Sequence, residues 1–112
     1  MPQSAIDIEH LSRQTDGDHE LERELLALFA QQCVRLLRTI HGDAEKQARM
    51  DAAHTLKGAA RAVGAWGVAD AADRIEQALG ASAVGPGDDA LDALTLAAAE
   101  ARAAITRLDH AA

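Results

Sequence analysis

Apolar residues recur at three- and four-residue intervals through four long stretches of this chain, and each stretch ends at a cluster of helix-breaking residues. That period lays apolar side chains along one face of an α-helix and excludes the strict alternation of a half-buried strand. The clearest stretch follows Asp18, a good N-cap, and carries Leu21, Leu25, Leu28, Phe29, Leu36, Leu37 and Ile40 before Gly42. After Asp43 a narrower stripe runs through Ala48, Ala52, Leu56, Ala59 and Val63, and a third uses Val68, Ala72, Ile75 and Leu79. Beyond the glycine- and proline-containing loop Gly80 to Asp88, Leu91, Leu94, Ala98, Ala101, Ile105 and Leu108 share one side of a last helix. A short leading segment pairs Ile8 with Leu11 one turn apart and is expected to lie as a lid across the end of the others. The predicted helices span about 7–14, 19–41, 44–63, 68–79 and 89–109.

Composition supports an all-α chain. Twenty-seven residues are alanine and only Phe29 and Trp66 are aromatic, which favours thin, closely packed helices over a sheet. With 112 residues there is room for a single domain, and four amphipathic helices with short links predict an antiparallel up-down four-helix bundle with a short extra N-terminal helix. A chain this short has no space for separate nucleotide and substrate lobes, which disfavours a self-sufficient kinase. The net charge of −7 disfavours nucleic acid as a partner, and no apolar run is long enough to insert in a membrane. A lone cysteine, Cys33, and an acidic start, MPQSAIDIEH, are those expected of a cytoplasmic protein.

The third helix carries the chemistry. At about 100° per residue, with Ala52 at zero, its apolar stripe lies within roughly 40°, whereas Lys57 falls near 140°, Arg61 near 180°, His54 near 200° and Gly58 near 240°. His54 thus points away from the buried side. From its place on the helix it is either a solvated surface histidine, the commoner case, or a functional one. Ala44 to Val63 holds Lys46, Arg49, Lys57 and Arg61 against Glu45 and Asp51, a segment of +2 in a chain of −7. Lys57 and Arg61, three and seven residues after His54, reach the space above its ring, where they would favour a phosphoryl group. Gly58 costs about 1 kcal/mol relative to alanine in mid-helix, so its use is close approach by another backbone.

His54-Thr55-Leu56-Lys57-Gly58-Ala59-Ala60, followed by Gly64 and by Ala72, Ile75 and Glu76, resembles the histidine-containing phosphotransfer (HPt) domain. Its pattern is H-x-L-K-G-[SA]-[SA], a glycine six residues after the first, then A-x-x-L-E. The family's short leading helix and antiparallel four-helix bundle match the five segments. The resemblance implies that His54 accepts a phosphoryl group from a receiver-domain aspartate and hands it to another receiver. It implies that Lys57 and Arg61 screen the phosphoryl oxygens, that Gly58 lets the receiver dock, and that Glu76 orients the ring through Nδ1–H, leaving Nε2 as nucleophile. It also explains the missing machinery, because in the family the receiver supplies the acidic pocket and Mg²⁺; no cofactor is expected of this chain, which has no phosphate-binding loop. Alanines after Gly58, Val63, and the Trp66-Gly67 pair depart mildly from the family pattern.

The expected partners are response-regulator receiver domains, docking on the exposed sides of the second and third helices with Met50 and Gly58 near the centre. The chain is expected to be monomeric. Met1 fits a free-standing shuttle; the alternative is a piece of a hybrid sensor histidine kinase. Two other classes stay open: an interaction module that binds receivers without phosphorylation, and a metal-binding bundle drawing on His10, His19, His41, His54 and His110. Those histidines show no i, i+4 pairing, so a helical metal site is not written in the sequence. Trp66 is expected to plug one end of the bundle rather than anchor a partner. Cys33, one position off the expected stripe, is read as a small packed side chain, and His41 as a cation at a helix C-terminus.

Overall fold

The computed structural model describes residues 4–81 and 84–111, with only the backbone at position 111. Five helices follow in order: α1 (Ile8–Thr15), α2 (His19–His41), α3 (Lys46–Val63), α4 (Trp66–Ala81) and α5 (Asp88–Ala111). The described residues are all-helical outside their links, and α2 to α5 form an antiparallel bundle in which each helix packs on the next and α5 returns to α2. Ser82 and Ala83, in the loop expected from Gly80 to Asp88, lie outside the described residues. Among the described residues no helix is long and apolar enough to cross a membrane.

The ends of the helices follow from local chemistry. Asp18 caps α2 by accepting from the backbone N–H of Leu21, and Asp7 caps α1 by accepting from that of His10. The third helix begins later than its sequence suggests: Glu45 holds the cap position without a side-chain hydrogen bond, and Asp43 is not the cap. Gly42 to Glu45 instead turn the chain, while Arg49 reaches back so that its Nε donates to the carbonyl of Ile40, one of the unpaired acceptors at the end of α2. The fourth helix begins earlier than expected, at Trp66, because the preceding link is as short as a Schellman turn allows. Gly64 sits at φ 79°, its N–H bonds the carbonyl of Arg61, and the N–H of Ala65 bonds that of Ala60. A Cβ on Gly64 would lie 2.9 Å from both Cβ and O of Asp7, so the position demands glycine twice over.

The core corrects the expected stripes. On α2 the buried set is Leu26, Phe29, Cys33, Leu36 and Ile40, while Leu21 and Leu28 are exposed. Cys33 is therefore on the stripe, fully buried, and burial pushes its thiol up to about 11, so it packs as a small hydrophobe. On α3, Ala53 and Ala60 join Ala52, Leu56 and Val63 inside, Ala59 is half-buried and Ala48 is exposed. On α5, Leu94, Ala98, Ala101 and Ala104 are buried, Leu91 and Ile105 half-buried, and Leu108 exposed. On α3 and α5 alanine accounts for the shifts: a methyl group fits inside or outside with little difference in transfer free energy, so an alanine-rich helix leaves its buried direction loosely marked. The first helix packs against α2 and α3, tied by the Asp7 N–H to the carbonyl of Gly64. Trp66 plugs this end: Nε1 donates to Asp7 Oδ2 at 2.9 Å and its ring meets His10 edge-on at 4.8 Å.

Candidate functional site

The Gly64-Ala65 turn sets the register of α3 against α4. In an antiparallel helix pair joined this tightly, residues equally far from the turn lie level. Counting from Ala65, His54 and Glu76 are each 11 residues away, Lys57 and Asp73 each 8, and Met50 and Gly80 each 15. All three pairs meet. His54 Nδ1 lies 2.9 Å from Glu76 Oε2, Lys57 Nζ lies 3.1 Å from Asp73 Oδ1, and Met50 Cε lies 3.5 Å from where a Cβ on Gly80 would stand. Lys57 crosses to the next rung as well, donating to Glu76 Oε1 at 2.6 Å.

Glu76 is thus gripped at both oxygens. The Lys57 ammonium, and secondarily the His54 N–H, hold its carboxyl below the usual carboxylate range against the opposing effect of burial. Lys57 holds Asp73 low in the same way, and the two carboxylates raise Lys57 in return. An ionised carboxylate only accepts hydrogen bonds, so the hydrogen between Glu76 and His54 resides on Nδ1. With hydrogen on Nδ1, the neutral form of the ring carries its lone pair on Nε2. The His54 side chain is 68% exposed, so this nitrogen stands in an open position suited to nucleophilic attack.

The other residues singled out by sequence lie around this dyad. Arg61 is exposed one turn beyond Lys57, and its charge is felt at Asp73. Gly58 is exposed, and an added Cβ would meet nothing within 4 Å among the described residues, so internal packing does not require glycine there. Met50 is half-buried. The residue that sequence reasoning missed is Asp73; its signal was available, since it lies one turn before Glu76 and level with Lys57 about the Gly64 turn. His41 ends α2 and meets Thr95 Oγ1 through Nε2 at 3.1 Å. Among the described residues no three His, Cys, Asp or Glu side chains converge as metal ligands would.

A four-helix bundle with an exposed, carboxylate-held imidazole in mid-helix defines the class, and the chain belongs to the Hpt domain family, whose model matches residues 24–111. Its fold is similar to the crystal structure of the histidine phosphotransferase ShpA from Caulobacter crescentus, with a TM-score of 0.74 and 29% identity over 95% of this chain and 91% of that one. No curated protein matches the chain at a significant level. The family consists of phosphorelay carriers that work with receiver domains, and the carrier is not an enzyme in the ordinary sense.

Proposed function

We propose that the protein is a phosphorelay intermediate in which His54 accepts a phosphoryl group from a receiver-domain aspartate and passes it to the aspartate of another receiver. The observation that carries this reading is the Nδ1 to Glu76 contact on an otherwise exposed ring. In the transfer the Nε2 lone pair forms the N–P bond while the P–O bond to the donor carboxylate breaks, its electron pair leaving with that carboxylate. Nδ1 keeps its proton in the hydrogen bond to Glu76. The product is labile enough to be handed on, as a carrier requires.

Lys57 and Arg61 supply positive charge for the phosphoryl oxygens, and Mg²⁺ comes from the receiver, whose acidic pocket binds it. The receiver docks across α2 and α3 with Gly58 and Met50 near the centre. Exposed Leu28 supports that placement. Arg23 and Ala27 line the groove between α2 and α5, so Leu21 and Leu28, on the opposite flank of the buried stripe, face the α3 side. Leu28 is 13 residues before the end of α2 and Gly58 is 12 after the start of α3, so the two are nearly level. An apolar side chain beside a bare backbone suits a protein partner.

The test is transfer from a radiolabelled, phosphorylated receiver domain to the wild type and to His54→Gln. Acid-labile, base-stable label on the wild type alone is the expected result. Uptake by both proteins would place the phosphoryl group elsewhere, and uptake by neither, with receivers still binding, would favour an interaction module.

A further inference from the structure

Lys57 is already occupied in the unphosphorylated protein. Its Nζ lies between Glu76 Oε1 and Asp73 Oδ1, and its side chain is only 13% exposed. One lysine against two carboxylates leaves the trio at −1 next to the very ring that must receive an anion. Glu76 is needed there, because it fixes Nδ1–H. Asp73 touches neither the ring nor Glu76 among the described contacts; its hydrogen-bonded cation is Lys57, and Arg61 stands near enough to be felt.

A phosphoryl group on Nε2 brings close to two negative charges, and Lys57, which shares the Glu76 carboxylate with the His54 ring, is a cation that can turn toward them. Its third N–H is uncommitted among the described residues, but Glu76 and Asp73 draw Nζ onto α4, so moving the ammonium toward the phosphoryl oxygens lengthens the contact with Asp73 and is opposed by that carboxylate's charge. Asp73 is 41% exposed, so water and Arg61 can take it over. We propose that Asp73 is a positioning residue that sets the phosphoryl affinity of His54 by competing with the phosphoryl group for Lys57. Asp73 thereby keeps the carrier shallow in free energy, so that the group passes on instead of resting. This inference builds on the assignment of His54 as phosphoacceptor.

The experiment measures the equilibrium division of radiolabel between one receiver domain and this protein, for the wild type, Asp73→Asn and Asp73→Glu. An equilibrium ratio does not depend on how well the partners dock, so a variant changes it only through the free-energy difference between the phosphorylated and unphosphorylated forms of this protein. Removing one charge from a solvated site bearing a dianion is expected to raise the ratio of phosphorylated protein to phosphorylated receiver roughly three- to tenfold in Asp73→Asn, on the scale of exposed ion pairs. Asp73→Glu, which retains the charge, is expected to return the ratio to near wild type. A labelled wild type with an unchanged or lowered ratio in Asp73→Asn, or an equal rise in both variants, would overturn the inference and leave His54 standing. An unlabelled wild type would overturn the assignment of His54 and this inference with it.

Discussion

Replacing Glu76 by glutamine keeps the shape of the side chain and removes its charge, and the consequence reaches the nucleophile. The carboxylate presents two acceptor oxygens, one to Lys57 at 2.6 Å and one to His54 at 2.9 Å. The amide has only one. Lys57, charged and largely buried in its stem, keeps the oxygen, and the amide NH₂ turns to the imidazole. A donor facing Nδ1 favours the tautomer with hydrogen on Nε2, which removes the lone pair that attacks phosphorus. Losing the charge of the acceptor by itself removes about 1 kcal/mol, so the population of the reactive tautomer falls by at least roughly fivefold. In Glu76→Gln, long-range proton–nitrogen NMR is therefore expected to show the Nε2–H form gaining ground. Label uptake from a phosphorylated receiver should slow by about fivefold or more, with helicity by circular dichroism unchanged. A variant that keeps both the Nδ1–H signature and the wild-type rate would refute the orienting role of Glu76.

Other outcomes follow from the same geometry. Gly58→Ala should stabilise the isolated protein by about 1 kcal/mol in urea unfolding, since the site is helical, exposed and open to a Cβ. Gly58→Trp should fold equally well yet lose transfer, and unchanged transfer would remove Gly58 from the docking surface. Gly64→Ala should destabilise by at least 1–2 kcal/mol, on the order expected for a left-handed residue, because its φ is 79° and the new Cβ strikes Asp7; an unchanged urea midpoint would contradict the turn. The Lys57 clamp has a definite pH window. Asp73 and Glu76 are held low, so their contribution to stability is complete above their ordinary values near 4 and is lost as pH falls through the folded ones. Lys57 is held high, so its contribution is complete below its ordinary value of about 10.5 and is lost as pH rises past it. Lys57→Met should flatten the acid limb of the stability profile, and an unaltered limb would show that the clamp adds nothing.

The helices were legible because their apolar spacing is long and repeated, and the outward direction of His54 and Arg61 followed from helix geometry alone, whereas Lys57 folds onto α4 and is only 13% exposed. Leu26 and Cys33 take the place on the buried stripe that Leu28 was expected to hold, because α2 carries leucines on several sides and their spacing alone does not single out one buried direction. Glu76 was found through its family spacing, whereas Asp73 has no local signature; it becomes visible only when the short turn at Gly64 is used to fold α4 back on α3 and read the rungs. The contact of Trp66 with Asp7 spans 59 residues and depends on where α1 lands, which no local pattern specifies. The late start of α3 belongs to the same kind, since the Arg49 bond to Ile40 is made only once both helices are in place.

The most direct test of the account is to locate the phosphorus atom. Nitrogen-15-labelled protein, phosphorylated by a receiver domain and kept at alkaline pH, would be examined by NMR for nitrogen–phosphorus coupling at each imidazole. The account predicts one coupled nitrogen, Nε2 of His54, with the rings of His10, His19, His41 and His110 unaltered. Coupling at Nδ1 of His54, or at any other histidine, would contradict it.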